Sequence, residues 1–468
     1  MPRKRFILEN ARNLVVGYHK TVPILSGKEK RYIFLDNAAS TPTLKPVMET
    51  VNEFMNWYSS IHRGTGFKSQ ISTYFYEQSR DIVRRFCNIR DEDHTIIFGK
   101  NATEAINKLA RRIPLREDSV IFTSKMEHHS NDLPWRMRKP VIHIDVDDQG
   151  RLDLNDLQYK LAKYKGRVQL VAITGASNVT GYINPIPKIA RMVHENGAEL
   201  MIDAAQYAPH RPMDMGNQDD PEHIDYLAFS AHKIYAPFGL GVLAANRKAF
   251  AEGDPDYVGG GTVDVVSIDH VFWTDVPEKE EAGTPNVVGA IALAKALQVI
   301  MEIGMEKIAE HEARLTAYAL KKMNKIPEIH IYGSTDEKDV ENRLGVISFN
   351  VKGMSHGLVA AILNYESAIG VRNGCFCAHP YIKCLLGVSD DENVKLENMI
   401  LQHDRSDVPG AVRMSFGMYN EEDEIDAVIE ALKKIIRGEI AGDYELDKYS
   451  GEYKARGFNL NFEKYFSL

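Results

Sequence analysis

The stretch Ala228-Phe229-Ser230-Ala231-His232-Lys233, continued by Ile234-Tyr235-Ala236-Pro237-Phe238-Gly239-Leu240-Gly241, decides how the chain reads. It begins as an apolar strand, Tyr226 through Phe229, and turns polar at Ser230, His232 and Lys233. After a glycine-flanked turn it resumes as a second strand over Gly241-Val242-Leu243-Ala244-Ala245. A lysine at the mouth of such a turn is held by backbone. It suits capture of an aldehyde cofactor as a Schiff base, while Ser230 and His232 beside it suit an anion. Ser-x-His-Lys is short, and a solvated lysine at an exposed strand end fits the same residues. Its weight comes from the segments around it.

Upstream, the strand Glu199-Leu200-Met201-Ile202 runs into Asp203-Ala204-Ala205-Gln206. A carboxylate where an apolar strand ends lies at the carboxyl edge of a parallel sheet, where α/β proteins bind ligands. A buried carboxylate needs a partner, and a protonated ring nitrogen is a good one; capping of a following helix is the competing role for Asp203. Thr95-Ile96-Ile97-Phe98 is a further strand, followed by Gly99-Lys100-Asn101-Ala102-Thr103-Glu104, a glycine-led turn into a capped helix whose free N–H groups suit a phosphate. Val120-Ile121-Phe122-Thr123 leads to Met126-Glu127-His128-His129-Ser130. Two adjacent histidines face different ways, and no cysteine or carboxylate pattern completes a metal site there, so a single imidazole stacked on a planar ligand competes with a surface pair. The strand 168–174 leads to Ser177-Asn178-Val179-Thr180-Gly181. Strands alternating with helices from 95 to 246 predict a largely parallel, doubly wound sheet. Gly259-Gly260-Gly261-Thr262 lacks the strand–helix context of a dinucleotide site.

Ala282-Gly283-Thr284-Pro285-Asn286 turns into a long helical region over about 288–323, bridging to a smaller domain. There, 345–350 and 411–416 read as strands, with helices at about 356–365 and 422–437, an α+β arrangement. Between the two strands lies Val371-Arg372-Asn373-Gly374-Cys375-Phe376-Cys377-Ala378-His379-Pro380. Three of the four cysteines fall between 375 and 384, but a fourth ligand at a familiar metal spacing is missing. A nucleophilic thiol beside Arg372 fits better, since a nearby cation favours the thiolate.

The totals are those of an ordinary soluble globular protein. At 468 residues two domains are expected, and 44% hydrophobic with 26% charged residues is ordinary globular composition. A net charge of −8 argues against a nucleic-acid partner. Residues 1–5 are basic, but the apolar run after them is too short for a signal peptide, and no stretch is apolar enough to span a membrane. Four cysteines (Cys87, Cys375, Cys377, Cys384) are too few for a disulfide scaffold, which points to a reducing, cytoplasmic compartment.

Taken together and in this order, residues 34–424 resemble the class V aminotransferase-fold, pyridoxal-phosphate-dependent enzymes, most closely the group II cysteine desulfurases and selenocysteine lyases. The resemblance implies an α/β chain of PLP fold type I, with a large domain over 31–300 holding a mostly parallel seven-stranded sheet. A smaller α+β domain from 1–30 and 301–437 carries the cysteine loop, and 438–468 is a tail. It implies pyridoxal 5'-phosphate as cofactor and no metal. Lys233 would carry the cofactor, Asp203 would pair with the pyridine nitrogen, Gln206 would reach the ring hydroxyl and His128 would stack on the ring. Ala102, Thr103, Ser230 and His232 would hold the phosphate, with Thr284 reaching it from the second subunit of a homodimer. Asn178, Arg372 and Arg413 would bind the substrate carboxylate, and Cys377 matches the catalytic cysteine in Arg-x-Gly-x-x-Cys-Ala-x-Pro. The implied reaction takes sulfur from L-cysteine, leaving alanine and a persulfide on Cys377 for an acceptor protein or small thiol. Selenocysteine lyase, C–S lyase, aminotransferase or epimerase activity on the same fold are the alternatives, and a silent scaffold or a metal-binding protein are the readings from other classes.

Three features depart from the family pattern. Cys375 stands where group II usually has histidine, and Cys-Phe-Cys is similar to molybdenum-cofactor sulfurases of the same fold. The gap from Cys377 to Arg413, 36 positions, is long; the extra segment 382–408 holds Cys384 and lies where it can shape the site's mouth or dock a partner. The tail 438–468 is unmatched.

Overall fold

Seven strands form the central sheet of the computed structural model, in the spatial order His94–Gly99, Gly241–Asn246, Tyr226–Ser230, Glu199–Asp203, Val168–Thr174, Val120–Ser124 and Val141–Ile144. The structure describes residues 6–90 and 92–468; the basic run 1–5 lies outside the described residues. From Val141–Ile144 across to Tyr226–Ser230 every pairing is parallel. Gly241–Asn246 alone is reversed, antiparallel to both neighbours. The ten residues joining it to Tyr226–Ser230 are too few for a helical crossover and suffice only for a tight return. Ser230 and Lys233 are thereby left on the rim of the sheet.

The central strands are apolar on both faces, and successive residues enter different cores. Ile96, Phe98, Phe122 and Ile202 pack with helices Lys45–Met55, Phe67–Phe86 and Val287–Ile303. Ile97, Ile121 and Met201 pack with Ala105, Ile106 and Leu109 of helix Ala102–Arg112. This is the mixed, mostly parallel doubly wound sheet that the alternation of strands and helices predicts.

The expected single helical region over 288–323 is two helices, Val287–Ile303 and Met305–Met323, bent by 75° at Gly304. Gly304 has φ +100°, a conformation side chains rarely adopt, so the chain turns where glycine permits it. No single helix among the described residues is long and apolar enough to cross a membrane.

Beyond the bend, four antiparallel strands in the order Ile329–Tyr332, Val346–Val351, Ala411–Ser415 and Arg372–Gly374 pack against Met305–Met323, His356–Ser367 and Glu422–Ile436. Part of the expected loop 371–380 is therefore strand, with Arg372 opposite Arg413. The segment after it forms Asp390–Leu401, a helix with no buried residue that is entered through a capping box between Ser389 and Glu392. The tail folds as a hairpin, Tyr444–Asp447 with Glu452–Ala455. Glu366 receives the N–H of Gly442 and the hydroxyl of Tyr444, both at 3.0 Å. Residues 6–31 lean on Glu422–Ile436, where Arg31 meets Glu424 at 2.7 Å and Arg12 meets Asp423.

Candidate active site

A cavity of about 250 Å³ opens where the carboxyl ends of the central strands meet the small antiparallel sheet. Asp203 and Ser230 are the last residues of their strands, so both side chains arrive at this rim as a consequence of register. Lys233 follows Ser230 by one 3₁₀ turn, Ala231–Lys233, whose backbone is fixed by Thr41: the His232 carbonyl accepts from Thr41 N at 2.8 Å. Twelve of the thirteen residues expected in the site line this one cavity: Ala102, Thr103, His128, Asn178, Asp203, Gln206, Ser230, His232, Lys233, Arg372, Cys377 and Arg413. Thr284 does not. It is exposed, on the turn after Gly283, away from the cavity of its own chain.

At the helix end of the cavity, Asn101 caps Ala102–Arg112 by accepting from Glu104 N at 2.9 Å, and Glu104 turns back to accept from Lys100 N. Ala102 N donates to Ser230 Oγ at 2.8 Å, while Thr103 Oγ1 and Ser130 Oγ lie 2.7 Å apart. These hydroxyls, with a helix N-terminus behind them, make an electropositive, donor-rich pocket.

The charges of the floor are set by burial. Asp203 is buried with one donor among the described residues, Ala205 N at 2.9 Å, and burial raises its carboxyl above the ordinary range. Burial lowers the Lys233 ammonium to about 8, with Asp203 opposing and Arg413 adding to the shift. His128 is lowered to about 3 by burial and by Lys233, and His232 to about 4 by the same two causes. Both imidazoles are therefore neutral across physiological pH, which suits a flat stacking face and a hydrogen-bonding ring better than a point charge.

The far wall is the loop with Cys377. Arg413 is buried at 3% side-chain exposure, and donates to Asp36 Oδ1 at 2.8 Å and to the Asn178 carbonyl at 3.0 Å. Its Nε is buried without a hydrogen-bond partner among the described residues. Arg372 stands outside it, 58% exposed, 3.7 Å from Asp36 Oδ2. Phe376 and Cys377 both adopt left-handed backbone, φ 51° and 54°. The ring of Phe376 tucks under Arg413 at 4.7 Å while Cys377 is left exposed at the mouth. Cys375 points the other way, donating to the Pro409 carbonyl at 2.9 Å, and burial pushes its thiol up to about 11. The two cysteines of Cys-Phe-Cys are thus unlike: one inert and hydrogen-bonded to the end of the extra segment, the other presented to solvent.

Sequence reasoning missed Asp36, which bridges to Ser415 beside Arg413, and Ser130, which lies 3.0 Å from His128 Nδ1. It also passed over Glu127, buried beneath the floor, where it accepts from Thr174 N at 3.0 Å and Asn131 Nδ2 at 2.7 Å. The available signal was the placement of Asp36 at the end of a short strand before the small-residue loop Asn37-Ala38-Ala39-Ser40.

The chain is similar in sequence and in fold to known cysteine desulfurases. It is 35% identical to a probable cysteine desulfurase of Pyrococcus abyssi over 414 residues, covering 86% of this chain and 94% of that one. It is 32% identical to a cysteine desulfurase of Haloferax volcanii, covering 86% and 88%. Among solved structures, the apo cysteine desulfurase of Thermococcus onnurineus superposes with a TM-score of 0.76 at 34% identity, over 87% of this chain and 95% of that one. A cysteine desulfurase of Escherichia coli in an S-sulfonic acid form gives 0.72 at 28% identity, over 87% and 95%. The sequence model described as Aminotransferase class-V matches residues 33–428, from the short strand Ile33–Phe34 into helix Glu422–Ile436, and the chain belongs to that family.

Proposed function

We propose that the protein is a pyridoxal-phosphate-dependent cysteine desulfurase, converting L-cysteine to L-alanine and leaving a persulfide on Cys377. The observation that carries this is the convergence of Lys233, Asp203, Arg413 and Cys377 on one cavity. An aminotransferase has no use for a thiol in that place, and a scaffold has no use for any of the four.

The residues fit the cofactor. A buried carboxyl with one protein donor, Asp203, has acceptor capacity left for a protonated ring nitrogen, and that partner offsets its burial. The hydroxyls of Thr103 and Ser230, together with His232 and the N-terminus of Ala102–Arg112, match a phosphate. The neutral ring of His128 fits a planar face. Gln206, anchored through Nε2 to the Ala38 carbonyl at 2.7 Å, stands beside Asp203. When bound, pyridoxal phosphate supplies an electron sink for bonds broken at the amino acid's α-carbon.

The chain's own groups supply the rest. Arg413 and Arg372, which both line the cavity, hold the substrate carboxylate by charge-assisted hydrogen bonds and so fix the direction of the cysteine side chain. Lys233 Nζ, which would hold the cofactor and whose proton affinity burial lowers to about 8, would as a free amine take and return the α-proton. Cys377 Sγ as thiolate attacks the substrate sulfur. The S–S bond forms as the Cβ–S bond breaks, the electron pair goes to carbon, and carbon is protonated to give alanine. Thiol sulfur is oxidised by the carbon that is reduced, so no outside oxidant is needed. The persulfide then passes to an acceptor thiol, on a protein or a small molecule.

A second copy of the chain belongs to this reading. The hairpin Val263–Val266 with Val271–Trp273 exposes Val265, Val266, Val271 and Phe272, an apolar surface suited to self-association, and exposed Thr284 would reach a neighbour's phosphate pocket. The test is a single turnover with L-cysteine on cofactor-loaded protein, following alanine and the mass of the Cys377 peptide. One alanine per site with one added sulfur on Cys377 is the expected result. Cofactor absorbance without alanine or adduct would leave the fold standing and remove the function.

A further inference from the structure

Glu127, 2% exposed, has no part in the reaction proposed above, yet the elements that carry that site meet at it. It stands where strands Val120–Ser124 and Val168–Thr174 part company. Their paired register ends at Phe122 and Val171, and beyond that point Thr174 N donates to Glu127 Oε1 at 3.0 Å instead of to a strand. Ser124 Oγ, at the end of the other strand, lies 2.5 Å from the same oxygen. Asn131 Nδ2 donates to Glu127 Oε2 at 2.7 Å, while Asn131 Oδ1 accepts from the buried Trp135 Nε1 at 3.1 Å.

Each end of this tie carries part of the site. Thr174 pairs with Asp203 in the parallel ladder, so holding Thr174 N holds the strand end beside Asp203. Asn131 closes the 3₁₀ turn His129–Asn131, whose groups reach into the cavity wall. Ser130 N donates to His128 Nδ1 at 3.1 Å, which sets the direction of the His128 ring. His129 N donates to the Cys377 carbonyl at 2.7 Å, and Ser130 Oγ lies 2.7 Å from Thr103 Oγ1. Burial, with Asp203 adding, pushes the Glu127 carboxyl up to about 8 against the groups that hydrogen-bond to it. The tie does not depend on that charge. Ionised or neutral, one oxygen accepts from Thr174 N and the other from Asn131 Nδ2, and in the neutral form Ser124 Oγ has a lone pair for the proton.

We infer that Glu127 is a positioning residue for the proposed reaction, holding His128, Asp203 and the Cys377 loop in one frame. The inference rests on the reading that the cofactor lies between His128 and Asp203. Glutamine cannot do the same work, because it has one accepting oxygen where two are needed. In Glu127→Gln the new NH₂ must face either Thr174 N or Asn131 Nδ2, donor against donor. Asn131 cannot flip to relieve this without turning its own NH₂ on Trp135 Nε1. Asn131→Asp does relieve it: a carboxylate of the same shape accepts from the glutamine amide and from Trp135 Nε1 together.

The test compares wild type, Glu127→Gln, and Glu127→Gln combined with Asn131→Asp, all loaded with pyridoxal phosphate. In Glu127→Gln the visible circular dichroism per bound cofactor should fall, and kcat for alanine formation should drop about tenfold with KM little changed. In the double variant both should return toward wild type. Asn131→Ala, which cuts the tie from its other end, should lower both as Glu127→Gln does. A lower unfolding temperature with dichroism and kcat unchanged would make Glu127 a structural residue only and overturn the inference. A double variant no better than Glu127→Gln would overturn it too. Wild-type protein that shows cofactor dichroism but forms no alanine would remove the desulfurase reading, and the dichroism of the variants would still decide the role of Glu127.

Discussion

The side-chain amide of Asn178 donates to the carbonyl oxygen of Phe376 at 2.8 Å, across 198 positions of sequence. It grips the residue before the exposed thiol, in a loop where two successive non-glycine residues have positive φ at about 1–3 kcal/mol each. His129 N helps, donating to the Cys377 carbonyl at 2.7 Å. The thiol is therefore aimed by backbone held from the large sheet's side of the cavity. Asn178→Ala should lower kcat for alanine formation on the order of 10–100-fold with little change in cofactor absorbance, because a displaced nucleophile is lost from the reacting geometry. Steady-state kinetics decides it: a rise in KM with kcat unchanged would mean that Asn178 serves the substrate carboxylate and not the loop.

Lys233 makes the cofactor-free protein less stable. Burial sets its folded value at about 8 against an ordinary 10.5, so between these the unfolded chain binds more protons and stability rises with pH. Below about pH 8 the penalty is fully present. Its upper bound is about 3 kcal/mol, reduced by the opening of the side chain onto the cavity. Without cofactor, Lys233→Met should unfold at a higher denaturant concentration than wild type at pH 7. It should also lack the rise in stability over pH 8–10.5. Denaturation curves at three pH values suffice, and superimposable curves would refute a desolvated ammonium.

Gly241 sits where the reversed strand crosses the N-terminus of helix Ala102–Arg112. A Cβ there would fall 2.2 Å from the Asn101 carbonyl carbon and 2.4 Å from its oxygen. Backbone cannot rotate aside as a side chain can, so Gly241→Ala must push the cap away from Ser230 and break the Ala102 N to Ser230 Oγ bond. The expected result is a loss of about 1–3 kcal/mol in stability and weaker retention of pyridoxal phosphate during dialysis. Undiminished retention would mean that this helix end does not hold the phosphate.

Much of this was legible because strand ends announce themselves. Asp203 and Ser230–Lys233 stand where apolar runs turn polar, and local register alone carries them to the rim. Cys377 was legible through the bias of cysteine placement. What pairs across the fold was not. Nothing near Asp36 in the chain points to Arg413, 377 positions away, and the contact exists because Ile33–Phe34 pairs with Ile369–Gly370 and continues to Ser415. Glu127 was hidden by its neighbours, since a carboxyl just before two histidines reads as surface until it is found buried and hydrogen-bonded to Asn131 and Thr174. The bend at Gly304 escaped because apolar spacing continues through it, and only the backbone conformation there separates one helix from two.

The pairing of Asp36 with Arg413 yields the sharpest prediction. Arg413 is fully enclosed, and Asp36 is the carboxylate that accepts from it. Removing that charge leaves a buried guanidinium uncompensated, so Asp36→Ala should cost about 3–5 kcal/mol. Asp36→Asn retains an acceptor oxygen but no charge and should cost less. If Arg413 is the substrate carboxylate's anchor, a carboxylate ligand can replace the lost counter-ion. Propionate added to cofactor-loaded protein should then raise the unfolding temperature of Asp36→Asn more than that of wild type, because in the wild type Asp36 already competes for the guanidinium. The comparison needs only thermal unfolding with and without propionate. An equal or smaller shift in the variant would place the substrate carboxylate elsewhere, on Arg372 alone, and would make the Asp36–Arg413 pair a strut between the two sheets.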